Sequence, residues 1–214
     1  MAITSEPLRA GGVRTRRLRG ALRLEWFSLG WNALETVVGL AAGVAAGSVA
    51  LVGFALDSVV EASSAAVLVW RLRSERSGRH TAEDAERRAV RLVAVAFVAL
   101  AAYVGGRAAY DLALGARPDE SVPGIVLAVV SLVVMPPLAA AKRRAARGLG
   151  SVALQADSTQ TSLCTFLSAF LLVGLVANSA FGWWWADPVA GLAIAAAAAR
   201  EGVALWRGDD DCCP

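Results

Sequence analysis

The chain has 214 residues, of which 57% are hydrophobic, and a mean hydropathy of +0.54. A soluble domain of this size could not bury so much apolar surface, so the composition excludes a soluble globular protein and predicts an integral membrane protein. The formal net charge of +3 implies no nucleic-acid partner, because basic residues beside membrane spans act as anchors next to anionic lipid.

Long apolar runs predict an all-α, polytopic protein with six transmembrane helices. Each run is near or above the ~20 residues that a spanning helix needs. The predicted spans are residues 24–46, 48–70, 89–114, 122–141, 151–177 and 184–206. The predicted regions are therefore a basic cytoplasmic N-terminal arm at 1–23, a six-helix transmembrane domain at 24–206, and an acidic, cysteine-containing cytoplasmic tail at 207–214.

The distribution of Lys and Arg predicts the orientation. Of the 21 basic residues, only Arg107 and Arg117 fall on one side of this arrangement. The positive-inside rule then places both termini in the cytoplasm, with the plasma (inner) membrane as the expected location.

Span 1 carries two polar residues near its middle, Asn32 and Glu35. Their spacing of three puts them on one helical face, and a carboxylate facing lipid would be very costly, so Glu35 must face the bundle. It is either a proton-relay or outer-shell group beside a metal, or part of a hydrogen-bonded clamp with Asn32.

Span 2 opens with GSVALVGFALDSVVE from Gly47 to Glu61. Its acids, Asp57 and Glu61, are four residues apart and therefore about one turn, ~6 Å, apart on one face. Two carboxylates this close repel each other unless a cation or a proton lies between them. The pair predicts half of a metal site or a proton-sharing pair.

The middle of the chain offers weaker signals. The loop at 71–88 holds His80, the only histidine, and is best interpreted as a solvated connector. Arg107 and Asp111, four apart, predict an interfacial ion pair in span 3. Pro136 and Pro137 are expected to kink span 4 or to end its regular hydrogen bonding.

Span 5 repeats the letters GSVAL from Gly150, and in register Gln160 and Cys164 take the places of Asp57 and Glu61. Asp157 precedes them on the cytoplasmic side and could be a first ligand on the way to the site or a proton acceptor. So polar a span favours a water-filled passage over a helix interface.

The C-terminal part of the chain contains a tryptophan triplet at 183–185, which predicts an outer aromatic belt. In the tail, Cys212 and Cys213 beside three aspartates could capture a metal weakly. An acidic tail with acylated cysteines is the alternative.

Spans 2 and 5 run in opposite directions, so their matching letters indicate an inverted-topology repeat. Transporters that work by alternating access build one site near the membrane centre from such repeats.

These residues resemble the cation diffusion facilitator family. GSVALVGFALDSVVE is similar to the family's second helix, SVALQADSTQ to its fifth, and ADPVAGLAIA to the start of its sixth. The resemblance implies a bundle with a tetrahedral zinc or related divalent-cation site, exported against protons by a homodimer. It also implies a short member without the family's cytosolic C-terminal domain. The implied ligands are Asp57, Glu61, Gln160 and Cys164.

Two positions depart from the family pattern, since Gln160 and Cys164 replace its His and Asp. Gln cannot carry a proton, whereas Cys binds as thiolate and favours zinc over magnesium, calcium or manganese. Two alternatives stay open: a non-transporting membrane metal sensor or partner subunit, and a transporter of a non-metal cation with Asp57, Glu61 and Glu35 as counter-ions. No enzyme activity and no prosthetic group are expected, because no nucleophile with a base partner and no phosphate-binding Gly motif occurs.

Overall fold

The computed structural model describes residues 6–76 and 83–207, and over these ranges it contains six α-helices and no β-strand. All six include a stretch long and apolar enough to cross a membrane, so the predicted all-α, six-span fold is confirmed. The predicted sites at His80, Cys212 and Cys213 lie outside the described residues. The helices are α1 Glu6–Ala46, α2 Val49–Arg76, α3 Glu83–Leu114, α4 Val122–Leu149, α5 Val152–Phe181 and α6 Ala186–Arg207.

The helices extend beyond the predicted spans. Most of the predicted N-terminal arm belongs to α1, which is one continuous helix of 41 residues. Likewise α4 runs on to Leu149 instead of ending near residue 141, and it continues through Pro136 and Pro137. Arg, Lys and Ala are good helix formers, so a helix that leaves the apolar layer has no local reason to stop there.

The repeated GSVAL sequence forms the same helix-to-helix turn twice. Gly47 and Gly150 both adopt φ = +64°, a left-handed conformation that favours glycine at the end of a helix. The next residue then caps the following helix: Ser48 Oγ accepts a hydrogen bond from Leu51 N at 3.1 Å, and Ser151 Oγ accepts one from Leu154 N at 3.3 Å. The five letters therefore encode a complete turn.

The three turns at one end of the bundle lie together, and we call this end the Gly47 side. Asp119 N donates to Ala46 O at 2.8 Å, and Asn178 Nδ2 donates to Pro118 O at 3.0 Å. At the opposite end, which we call the Gly150 side, Arg17 Nη1 donates to Gly148 O. Among the described residues, most of the arginines belong to the helix ends on the Gly150 side, Arg144 and Arg147 among them.

The helices pack as three main pairs: α1 with α2, α3 with α6, and α4 with α5. Contacts of α1 with α4 and of α2 with α5 join the two hairpins around a core that includes Phe54, Met135 and Leu171. The start of α6 is fixed to the start of α2, because the Asp187 carboxylate accepts hydrogen bonds from Ser48 Oγ and from Val49 N, the latter at 3.0 Å. This arrangement brings the polar faces of α2 and α5 together.

Candidate cation site

The two acids of α2 lie on one helical face, as their spacing predicted, and that face is buried in the bundle. Asp57 is 7% exposed and Glu61 is 1% exposed. Ionisable side chains buried at this depth of a spanning helix are expensive and point to a functional site.

Asp57 borders a cavity among α2, α3, α5 and α6. Gln160 of α5 lines the same cavity, so the residues at matching positions of the two repeat copies meet there. Glu201 of α6 lines it too, so two carboxylates border the same cavity. The other lining residues are apolar: Phe97, Leu163, Leu167, Ala197 and Ala198.

Glu201 was given no role in the sequence interpretation. Helical spacing could have identified it. Ile194 and Ala198 are buried and lie four residues apart, and Glu201, three residues further on, falls on the same face of α6. An acid on that face comes close to α2 and α5.

The second pair of matching positions also meets. Glu61 Oε1 accepts a hydrogen bond from Thr161 Oγ1 at 2.7 Å, and Cys164 lies three residues further along α5, on the same helical face as Thr161. Cys164 is 1% exposed. The other oxygen, Glu61 Oε2, has no hydrogen-bond partner within the described part of the chain.

The four predicted ligands therefore come together as two neighbouring pairs, Asp57 with Gln160 and Glu61 with Cys164. Among residues 6–76 and 83–207, no three His, Cys, Asp or Glu side chains are arranged to hold a metal ion. The tetrahedral site stays a prediction.

The polar residues of α1 face inward, but they do not form the predicted clamp with each other. Glu35 accepts hydrogen bonds from Trp31 Nε1 at 2.7 Å and from Ser58 Oγ at 3.0 Å. Asn32 is fully buried, and neither its amide nitrogen nor its amide oxygen has a partner among the described residues. Glu35 is thus tied to α2 through Ser58.

Asp157 is buried and paired with a lysine. Lys142 Nζ of α4 donates to Asp157 Oδ2 at 2.6 Å and to Thr161 Oγ1 at 3.2 Å, and it lies 3.4 Å from Glu25 Oε2 of α1. Both Lys142 and Glu25 are 0% exposed. We call this group, together with Glu61, the Lys142 cluster; its members are Glu25, Glu61, Lys142, Asp157 and Thr161.

Lys142 follows predicted span 4 and was counted among the basic residues that flank the spans, but its side chain is completely buried in the bundle. Its neighbours Arg144 and Arg147 are exposed. Helical spacing would have distinguished them, since the buried residues of α4 include Ser131, Met135, Leu138, Lys142 and Ala146. The same spacing along α1 leads from Leu18 and Leu22 to Glu25, which had been given no role.

Two smaller predictions can be compared directly with the structure. Arg107 Nε and Asp111 Oδ2 form the expected ion pair at 3.0 Å. Trp183 and Trp185 are exposed and stack with ring centroids 5.4 Å apart, at the turn between α5 and α6. That position agrees with an aromatic belt at the Gly47 side.

Residues 26–207 match the model of the cation efflux transmembrane domain. The chain belongs to the cation efflux family. This confirms the resemblance inferred from the GSVAL segments.

Two relatives illustrate the match. The chain is 33% identical over 156 residues to the uncharacterized transporter sll1263 of Synechocystis sp., which covers 69% of this chain and 49% of the relative. It is 34% identical over 77 residues to the cation-efflux pump FieF of Shewanella oneidensis, covering 36% of this chain and 26% of that protein. The chain thus spans about half or less of the relatives it matches.

Proposed function

We propose that the protein exports a divalent metal cation, with zinc as the first candidate, in exchange for protons. The observation that supports this most directly is the meeting of matching parts of α2 and α5: Asp57 and Gln160 line one cavity, and Glu61 accepts a hydrogen bond from Thr161, about one turn from Cys164. FieF, which resembles part of the chain, is described as a cation-efflux pump.

The donor set favours zinc. Asp57 and Glu61 supply hard oxygen ligands, and Cys164 supplies sulfur once it has lost its proton. A thiolate ligand selects zinc over magnesium, calcium and manganese. Gln160 or a water completes the shell.

Alternating access accounts for the antiparallel hairpins. The basic residues on the Gly150 side support a cytoplasmic position for it, so zinc would come from that side to a mid-membrane site and leave at the Gly47 side. Protons then re-occupy the acids and the thiol, with Glu35 as a candidate relay next to Ser58. We expect a homodimer in the plasma (inner) membrane.

The decisive test is Zn²⁺ flux into proteoliposomes that carry a pH gradient. Wild type is compared with Asp57→Asn and with Asp111→Asn, a buried acid of α3 that is paired with Arg107. The proposal expects gradient-dependent flux in wild type and in Asp111→Asn, and none in Asp57→Asn.

Other outcomes favour the alternatives. Tight zinc binding by folded protein without flux would indicate a sensor or a partner subunit, the role that the proton-inert Gln160 would suit. Uptake of a non-metal cation that is indifferent to Cys164→Ala would indicate that the acids act as counter-ions only.

A further inference from the structure

Lys142 holds one buried positive charge among several buried acids. Its ammonium group contacts the carboxylates of Asp157 and Glu25 directly, and it reaches Glu61 through Thr161. Thr161 Oγ1 accepts from Lys142 at 3.2 Å and donates to Glu61 at 2.7 Å. The chain of contacts joins α1, α2, α4 and α5, which means that it links the two inverted hairpins.

Within the cluster, Lys142 and Asp157 lie between Glu61 and the Gly150 side. Asp157, Thr161 and Cys164 follow one another along α5 at spacings of four and three, about one turn each, moving away from that side. Lys142 pairs with the first of them. A cation that moves along this face of α5 therefore reaches Lys142 and Asp157 before it reaches Glu61 and Cys164.

The energetics do not favour a purely structural role. Removing three acids and a lysine from water is expensive, and well-packed apolar residues would hold the helices together at least as well. Lys is a compact charge on a flexible stem with three donors, so it can release one set of acceptors without moving its helix. Both oxygens of Glu25 lack a hydrogen bond within the described residues, so this acid is held by charge alone.

We infer that Lys142 is a tethered cation that closes the Gly150 side of the cation path. Its ammonium group is paired with the carboxylate of Asp157, the first acid that an incoming divalent cation would meet. Lysine and cation therefore compete for the Asp157 carboxylate. Lys142 is thus a positioning residue: it sets when Glu61 and Cys164 are reachable. This inference rests on the proposed cation path for its physiological meaning.

Cys164 provides the reporter, because it is almost fully buried behind the cluster. With Cys212→Ser and Cys213→Ser it becomes the sole cysteine of the full chain, which has three. The rate at which a small maleimide alkylates Cys164 in reconstituted protein then measures how often the Gly150 side opens. No metal and no transport are needed for this measurement.

The variants are Lys142→Gln, Lys142→Arg and the uncharged triple variant Lys142→Gln, Asp157→Asn, Glu25→Gln, with Arg144→Gln as the matched control. Arg144 is an exposed basic residue two positions further along α4. The triple variant leaves no buried charge without a partner at Lys142, Asp157 or Glu25, so it stays informative where Lys142→Gln fails to fold.

The inference expects alkylation at least about tenfold faster in the triple variant and in folded Lys142→Gln, since an open state that was rare becomes common. The rate should be unchanged in Arg144→Gln, and it should rise less in folded Lys142→Arg than in Lys142→Gln, because arginine keeps the positive charge. A triple variant with unaltered elution and helix content that is alkylated at the wild-type rate would overturn the inference and make Lys142 a structural bridge.

The two proposals fail separately. Faster alkylation without any Asp57-dependent zinc flux would mean that Lys142 controls access to Cys164 while the cation assignment is wrong. Normal flux with unchanged alkylation would retain the transporter and reject the role of Lys142.

Discussion

The two halves of the molecule, α1–α3 and α4–α6, each contain a turn of the same conformation, but they carry different side chains at the candidate site. The turns at Gly47 and Gly150 have the same glycine conformation and the same serine cap. Ten and fourteen residues later the first half carries two acids, and the second half carries an amide and a thiol. The two halves therefore share the conformation of the turn but differ in the side chains that they bring to the candidate site.

The ionic bridge of the second half has no equivalent in the first. In register with the repeat, Lys142 corresponds to Gly39 and Asp157 to Phe54. A side-chain carbon added at Gly39 would lie only 2.8 Å from the Cβ of Ala55, so α1 and α2 meet there by close apolar contact. At these matching positions the first half of the chain is joined by close apolar packing, and the second half is joined by an ion pair.

The largest expected effect concerns the site ligands of the two halves. Asp57→Ala should weaken zinc binding by about 100-fold or more, Cys164→Ala by about tenfold, and Gln160→Ala by only a few-fold, because the carboxylate is an anionic ligand, the thiol must first lose its proton and the amide is neutral. Isothermal titration of zinc into purified protein measures all three. Unchanged affinity in both Asp57→Ala and Cys164→Ala would remove these residues from the site.

The next effect tests the close packing at Gly39. Gly39→Ala should destabilise the fold by about 1–3 kcal/mol, because the new methyl group overlaps Ala55. Gly30→Ala, in the same helix but with open space around it, should be neutral or stabilise by up to ~1 kcal/mol. Unfolding in a graded denaturing detergent gives both values, and equal effects would contradict the packing argument.

A smaller effect separates the two serine caps. Ser48→Ala should cost ~2 kcal/mol, since it loses both the cap and the hydrogen bond to the Asp187 carboxylate. Ser151→Ala loses only a cap, which is worth ~1 kcal/mol. The same unfolding assay compares them; a larger loss for Ser151→Ala would show that the bond to Asp187 adds nothing.

The smallest effect should be identical in the two halves. Gly47→Ala and Gly150→Ala each force a side chain into the left-handed region, at a cost of roughly 1 kcal/mol. Neither glycine has other atoms within 4 Å of an added side-chain carbon, so crowding does not contribute. Midpoints that shift by clearly different amounts would mean that the turns are not equivalent.

The sequence predicted the six helices, the inward direction of Asp57, Glu61 and Glu35, and the repeat, because hydrophobic length and helical spacing are local properties. It did not predict the partners of these residues. Whether Glu35 meets Asn32 or Ser58 depends on how α1 packs against α2, and one helix alone does not contain that information.

Lys142 illustrates the same limit from another side. In the sequence, Lys142 begins the basic segment at 142–147 and resembles the other residues that anchor the spans. The composition of a segment does not say which face of the helix each of its residues occupies. Only the periodic burial along α4 separates the lysine that turns inward from the arginines that turn outward. Glu25 and Glu201 were missed for the same reason.

The turn formed by GSVAL has a consequence for the history of such a chain. The turn is formed by one glycine, one serine and the start of a helix, and its hydrogen bonds depend neither on the lipid nor on the side of the membrane. A three-helix unit that contains it can therefore be duplicated and inserted upside down without redesigning the hairpin. The arginines at its edges are then the part that must change, because the positive-inside rule makes them set the orientation of the unit in the membrane.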